Sequence, residues 1–85
     1  MASNTMPPEH ISEKLTEAIN IRYGDMMKEH NIRMPFPDIA REQGKYHATV
    51  TFWANNGHSF SALFRYETNS SEGTSYWYCY KDWND

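Results

Sequence analysis

The chain of 85 residues is short enough for a single domain with one core, and its eight basic and eleven acidic side chains give a net charge of −3. It contains neither a basic run nor a strong acidic excess, which argues against a duplex-binding protein and against an acidic mimic of DNA. Aromatic residues make up 15% of the chain, and they provide the large buried area per residue that so small a core needs.

The same survey bears on the cellular compartment. No apolar run approaches the ~20 residues that a membrane-spanning helix needs. The first ten residues lack the charged and apolar regions of a secretory signal. The single cysteine, Cys79, cannot form a disulfide within the chain, which favours a reducing compartment. We therefore expect a soluble cytoplasmic protein.

The first predicted element is a helix over residues 8–30, which follows a flexible leader at residues 1–6. Apolar residues recur in it at steps of three and four, as they do on one face of an amphipathic helix. Pro8 suits the first helical turn, and Asn31 suits a left-handed stop after the last turn. The residues predicted to face the core are Ile11, Leu15, Ile19, Tyr23 and Met26.

Residues 31–44 are predicted to form an irregular connection, for which the sequence supports two interpretations. Pro35 and Pro37 exclude a regular helix across them. In the interpretation that we favour, Asp38 caps a single helical turn before the glycine that ends the segment. Alternatively, the sequence REQGK forms a turn, and residues 38–41 become a short edge strand.

Beyond this connection the apolar pattern has a period of two, which is typical of half-buried β-strands. Strands are predicted in KYHATVTFWA and HSFSALFRYE, with the even-numbered residues facing inward. A three-residue turn at NNG, with a left-handed glycine, places Phe52 opposite Phe60 and His47 opposite Arg65. A two-residue turn would mix the apolar and polar faces, so the three-residue register is predicted.

The last strand, within residues 74–83, supports two registers because the preceding loop NSSEG can have two lengths. A five-residue loop turns the three tyrosines of SYWYCYKDW inward and its two tryptophans outward. A four-residue loop turns Trp77 and Cys79 inward, but it places Lys81 opposite Ala62 in the centre of the sheet. Because burial of an unpaired lysine is unfavourable, we predict the five-residue loop.

These elements define an α+β fold in one domain of residues 1–85. One N-terminal helix packs on an antiparallel β-meander of three or four strands within residues 45–83, in the chain order αβββ.

The side of this sheet that faces away from the helix is the predicted interaction surface. Arg65 lies across from Trp77 in the favoured register, which suits cation–π stacking. Tryptophan and arginine among aliphatic residues are typical of protein-interface hot spots, and an exposed apolar patch usually marks a partner site. Alternatively, residues 31–44 fold over this side and bury the tryptophans. The predicted partner-binding residues are Trp53, Trp77, Trp83, Arg65, Lys81, Leu63 and His47.

No pattern for catalysis or metal binding is found in the chain. The four histidines and Cys79 have neither CxxC nor HxxxH spacing, so we expect no metal site. His47 lies two strands away from Cys79 in the predicted sheet, which leaves the thiol without a base. We therefore expect a protein that is not an enzyme and has no cofactor.

The resulting functional hypothesis is a small regulator or inhibitor that binds another protein, or a second copy of itself as a homodimer. Its size and lack of a reaction centre are typical of immunity-type or phage-encoded host-interaction proteins. One alternative is a single-stranded nucleic-acid-binding module that uses the same aromatic side chains. It is disfavoured because residues 45–85 contain only three basic side chains. A second alternative is a small enzyme whose site is completed across a dimer.

Overall fold

The computed structural model describes residues 9–54, 57–69 and 71–84. It contains one helix and a four-stranded antiparallel sheet in which each strand pairs with its neighbour in sequence. The predicted α+β class is confirmed, with four strands. In chain order the elements are α1 (Glu9–Glu29), β1 (Asp38–Glu42), β2 (Lys45–Trp53), β3 (Ser59–Asn69) and β4 (Thr74–Asn84).

Helix α1 buries an apolar stripe against the sheet, as its three- and four-residue spacing predicts. Met27 is buried, whereas Met26, which was predicted to face the core, is half-buried at its margin. The helix ends in a left-handed Asn31 with a φ of 54°, and the amide of Ile32 bonds to the carbonyl of Met27 at 2.7 Å. The flexible leader predicted at residues 1–6 lies outside the described residues. The buried side chains of α1 are Ile11, Leu15, Ile19, Tyr23 and Met27.

Strand β1 lies where we favoured a single helical turn, so that interpretation is wrong and the edge-strand alternative is correct. Asp38 pairs with Thr49, and Glu42 pairs with Lys45. The two residues between these strands, Gln43 and Gly44, both have positive φ values, of 53° and 79°. Two successive left-handed residues form a tight two-residue turn, and the backbone twist of such a turn matches the twist of the strands that it connects.

Strands β2 and β3 adopt the predicted register. Phe52 lies opposite Phe60, and His47 lies opposite Arg65. Gly57 has a φ of 84°, the left-handed conformation that the turn requires. The even-numbered residues face α1, as predicted. The buried sheet residues on this side are Ala48, Val50, Phe52, Ala62, Phe64 and Trp77.

The loop between β3 and β4 has four residues, so the predicted five-residue register is wrong. Asn69 pairs with Thr74. The side-chain oxygen of Asn69 accepts hydrogen bonds from the amide and the hydroxyl of Ser71, and Gly73 has a φ of 67°. An asparagine that bonds two residues ahead and a left-handed glycine at the end form a compact turn. This shorter loop turns Trp77 toward the helix.

A β-bulge at Tyr80 removes the objection that a lysine would then be buried. Cys79 pairs with Phe64 and Lys81 pairs with Leu63, so Tyr80 is an extra residue in β4. The extra residue shifts the remainder of the strand by one position. Lys81 therefore faces away from the helix, where its ammonium group remains in water.

Trp77 is a core residue, contrary to the predicted outward position. Its side chain is 6% exposed. The indole Nε1 donates a hydrogen bond of 2.9 Å to the main-chain carbonyl of Ile11, and the ring lies 5.2 Å from that of Tyr66. A buried indole needs such an acceptor. The contact attaches the start of α1 to β4.

A second attachment joins Tyr23 of α1 to Asp82 of β4. The Tyr23 hydroxyl donates a hydrogen bond of 2.9 Å to the Asp82 carboxylate and accepts one of 3.1 Å from Arg22 Nε. Burial raises the pKa of Tyr23 above its usual range, and the contacts with Cys79 and Asp82 raise it further, against the opposing effect of Arg22. Asp82 faces inward at a strand end, as predicted, and its side chain remains 37% exposed.

We expect Trp77→Ala to reduce the free energy of unfolding by about 3–5 kcal/mol, because it removes a buried aromatic side chain. Trp53→Ala provides the control, since this side chain is 66% exposed, and should change stability by at most about 0.5 kcal/mol. Urea unfolding measures both changes. Equal losses in the two variants would contradict the assignment of Trp77 to the core.

The free energy of unfolding should also decrease at alkaline pH, because Tyr23 ionises more readily in the unfolded chain than in the folded one. The unfolded tyrosine ionises near its ordinary pKa of about 10, whereas the folded one keeps its proton. The contribution of Tyr23 is therefore fully present below about pH 10 and is lost as pH rises further, by at most about 1.4 kcal/mol per pH unit. Tyr23→Phe should flatten this decline in urea unfolding at pH 9–11. Tyr76→Phe is the matched control at an exposed position, and an equal flattening there would contradict the prediction.

Candidate protein-interaction face

The sheet has a second side, opposite α1, which we call the outer face. It carries the odd-numbered residues of β2 and β3. From β4 it carries Tyr76 and Tyr78 before the bulge, and Tyr80, Lys81 and Trp83 from the bulge onward. In the described part of the chain, no helix packs on this face. The described secondary structure therefore leaves the outer face uncovered.

Six of the seven predicted partner-binding residues lie on the outer face. Within it, the structure pairs His47 with Arg65 and Leu63 with Lys81. The seventh residue, Trp77, lies on the opposite side and belongs to the core. The six outer-face residues are His47, Trp53, Leu63, Arg65, Lys81 and Trp83.

The two outer-face tryptophans are accessible and lie on different strands. Trp53 is 66% exposed at the end of β2, and Trp83 is 38% exposed near the end of β4. Residues 31–36 line a groove with Trp53 at the edge of the sheet and leave this side chain exposed. The alternative in which residues 31–44 bury these side chains is therefore wrong.

Three outer-face tyrosines were missed by the sequence analysis, which placed them in the core. Tyr76 and Tyr80 are exposed, and Tyr78 is half-buried opposite Arg65. The rings of Tyr76 and Tyr78 lie 6.1 Å apart. The signal that could have placed them outward is Asn69, whose side chain favours the shorter turn. The face is therefore more aromatic than its tryptophans alone suggest.

Two cations lie over aromatic rings on this face. The Arg65 guanidinium carbon is 3.6 Å from the centroid of Tyr80, and the Lys81 ammonium nitrogen is 5.5 Å from the centroid of Trp83. In such a stack the cation is attracted by the quadrupole of the aromatic ring, so it does not need a carboxylate as a partner. The predicted stacking of Arg65 on Trp77 is wrong, because the four-residue loop turns Trp77 into the core, and Arg65 stacks on Tyr80 instead.

The centre of the outer face carries unneutralised positive charge. Within residues 9–54, 57–69 and 71–84 the ion pairs are Lys45–Glu67 and Arg22–Asp82, so neither Arg65 nor Lys81 has a carboxylate at ion-pair distance. The buried Nε of Arg65 has no hydrogen-bond partner. A negative group of a partner can therefore bind here without first displacing an internal one.

The bulge produces this arrangement. At a β-bulge two successive residues of one strand oppose a single residue of the neighbouring strand. The direction of their side chains changes from the regular alternation. Here Tyr80 is the extra residue, between Cys79, which pairs with Phe64, and Lys81, which pairs with Leu63. One inserted residue thus places an aromatic ring under Arg65 and a second cation beside it.

The described residues offer little for other chemistry. They contain no group of three or more His, Cys, Asp or Glu side chains that could hold a metal ion. Cys79 was predicted to lie on the outer face, but it is half-buried on the inner side, with its Sγ 3.5 Å from the Tyr23 hydroxyl. Within the described ranges, no helix is long and apolar enough to cross a membrane.

Comparison of the chain with protein families, curated proteins and solved structures finds no match in any of the three.

We expect deletion of Tyr80 to leave the fold intact while removing the Arg65 stack. Without the extra residue, Cys79 and Lys81 become consecutive positions and can keep their present partners in a regular ladder. Stability should change by at most about 1 kcal/mol. Nuclear Overhauser contacts between Leu63 and Lys81 report the retained register. Their replacement by contacts in a slipped register would contradict this account of the bulge.

Proposed function

We propose that this chain is a small, non-enzymatic binding protein that regulates or inhibits another protein through its outer face. The observation that carries the proposal is the set of two cations stacked on exposed aromatic rings, Arg65 on Tyr80 and Lys81 on Trp83. Aromatic and arginine side chains dominate the energetic centres of protein interfaces. Here they lie side by side on a face that no described helix covers.

The rigidity of the face supports this proposal. The outer-face residues project from paired strands, and the helix is attached to β4 at both Trp77 and Tyr23. Side chains on a rigid scaffold lose less conformational entropy on binding than side chains on a loop. The stack on Tyr80 also restrains Arg65 before any partner arrives.

A protein partner fits this face better than a nucleic acid. Binding of a nucleic-acid strand needs several cations that follow its phosphates. Arg65 and Lys81 are the outer-face cations left without an ion pair among the described residues, since Lys45 is paired with Glu67. The spread of aromatic side chains around two cations favours a compact, partly acidic protein surface.

The biological setting is part of the same proposal. A single small domain that acts by binding suits an immunity-type or phage-encoded host-interaction protein. The lone cysteine of the chain favours a reducing location, which we take to be the cytoplasm.

Capture from a lysate of the source cell, followed by affinity measurement on the purified partner, tests the proposal. Tyr80→Ala and Trp83→Ala should each weaken that affinity at least about tenfold, as expected for interface hot spots. Ile21→Ala is the matched control, because this apolar side chain is 87% exposed on the helix, away from the face. It should leave the affinity unchanged.

Two other outcomes would overturn the proposal. Equal affinity of the Tyr80→Ala variant and the unsubstituted protein would show that the partner binds elsewhere. Tight binding of oligothymidylate that weakens steeply with salt would identify a nucleic-acid-binding module instead. Sedimentation of the two variants distinguishes the homodimer: if they are monomers and the unsubstituted chain is a dimer, the protein bound at the outer face is a second copy.

A further inference from the structure

The sheet has an open edge along the end of β2. Strand β1 pairs with β2 only as far as Asp38, opposite Thr49. Strand β2 continues to Trp53, so Thr51 and Trp53 lie beyond the end of β1. On its other side the same part of β2 is paired with β3 throughout.

The backbone groups of Thr51 and Trp53 point toward this open edge. The amide of Ala54 donates to the carbonyl of His58 at 3.0 Å, which marks a hydrogen-bonded pair at the end of the β2–β3 hairpin. Such pairs recur at every second residue of an antiparallel ladder, so the even-numbered residues of β2 bond to β3. The odd-numbered residues direct their N–H and C=O groups to the opposite side. Among the described residues, no backbone hydrogen bond links Thr51 or Trp53 to the segment 31–37.

A groove of about 760 Å³ runs along these groups. Strand dimensions of about 3.3 by 4.8 by 10 Å give roughly 160 Å³ per residue, so the groove has room for about five residues of extended chain. Its sheet wall is formed by Thr49, Thr51 and Trp53, and its far wall by residues 31–36 together with Asp38.

The far wall is held away from β2 by its own connections. Ile32 is bonded to the end of α1 and packs against the core, so the chain must cross from the helix layer to the sheet edge within a few residues. Pro35 and Pro37 lack the amide hydrogen that a strand ladder uses. Met34 and Phe36 remain exposed along this wall and present apolar surface to the groove.

The other two edges of the sheet are protected, as natural sheets require. On β4, the ammonium group of Lys14 bonds to the carbonyl of Ser75, and the bulge at Tyr80 interrupts the strand. On β1, the exposed side chains include Asp38 and Arg41. The end of β2 has neither protection: Thr51 carries no charge, and Trp53 is a large exposed aromatic residue.

We propose that this groove binds an extended segment of a partner protein, which adds to β2 as a strand antiparallel to it. Only an extended backbone presents donors and acceptors at the spacing of those on Thr51 and Trp53. The alternate side chains of the segment contact Trp53 on the outer face and the core margin on the other face. This site is separate from the proposed binding by Tyr80 and Trp83.

Charges at the two ends of the groove define the chemistry of the segment. Ile32 lines a second cavity with Phe52 and Ala54, which places its neighbour Arg33 near the Trp53 end of the groove. Asp38 lies at the other end, opposite Thr49. Neither charge is in an ion pair among the described residues. An antiparallel segment therefore carries an acidic residue at its start, apolar β-forming residues in its middle and a basic residue at its end.

Amide hydrogen exchange with a synthetic peptide tests the proposal. The probe is the acetylated and amidated peptide EVYVTK, added at millimolar concentration to the full chain. The amides of Thr51 and Trp53 should exchange fast in the free protein and at least about tenfold slower with the peptide. The amides of Val50 and Phe52, which bond to β3, serve as internal controls and should be protected in both states.

A second peptide, which lacks the backbone amide hydrogens that would face β2, tests whether binding depends on backbone hydrogen bonds. It has the same sequence, with N-methyl groups on the residues whose amides face β2, and should give no protection. Combined Arg33→Glu and Asp38→Lys substitutions, at two exposed side chains, should weaken binding of EVYVTK at least about tenfold and favour the peptide KVYVTE, in which the two terminal charges are exchanged.

Several results would overturn strand addition. Slow exchange of Thr51 and Trp53 in the free protein would show that the edge is already closed, by residues 33–37 or by a second copy. Equal binding of the N-methylated peptide would show a side-chain contact instead of a strand. The absence of any protection by EVYVTK would also reject the proposal. The Tyr80→Ala variant should bind this peptide normally, so failure here is distinct from failure at the outer face.

Discussion

The register of β4, in which Tyr80 is accommodated as an extra residue, is the constraint on which the rest of the structure depends. In a strand, a shift of one residue exchanges the two faces, and a four-residue loop alone would bury the charge of Lys81. The bulge lets the first half of β4 turn Trp77 inward while its second half turns the lysine outward. One irregularity thus reconciles the aromatic core with a charged outer face, and it supplies the ring on which Arg65 stacks.

The two halves of β4 then attach the helix at two separate positions. Trp77 bonds to the carbonyl of Ile11, and Asp82 bonds to the hydroxyl of Tyr23. These helix residues are twelve positions apart in the sequence, which corresponds to about 18 Å along the helix axis. Attachment at both points resists both rocking and sliding of α1 on the sheet. A single helix can therefore keep a four-stranded sheet rigid while leaving the other side of the sheet uncovered in the described structure.

The parts of the fold that sequence reasoning predicted are those in which only one arrangement separates apolar from polar residues. Strands β2 and β3 alternate clearly, so their register followed from keeping Phe52 and Phe60 on one face. Both faces of β4 are aromatic, and the period of two could not tell them apart. The choice then depended on Lys81, and a bulge has no signature in the alternation itself. For β1, the preceding prolines, Pro35 and Pro37, made an irregular connection the favoured prediction. The structure instead has a strand, which is followed by the tight turn at Gln43.

The outer face carries exposed aromatic rings on a chain that is acidic overall, and two cations are stacked on these rings. Arg65 and Lys81 cover part of the rings of Tyr80 and Trp83, which reduces the apolar area that two copies could bury against each other. In the proposed interaction, the same positive charges would repel a partner surface that is itself basic and so add selectivity. Among the described residues no cation lies over Trp53, which is located where the face meets the open edge of β2. A partner that engaged both surfaces would therefore contact the face by its side chains and the edge by its backbone, with this tryptophan between them.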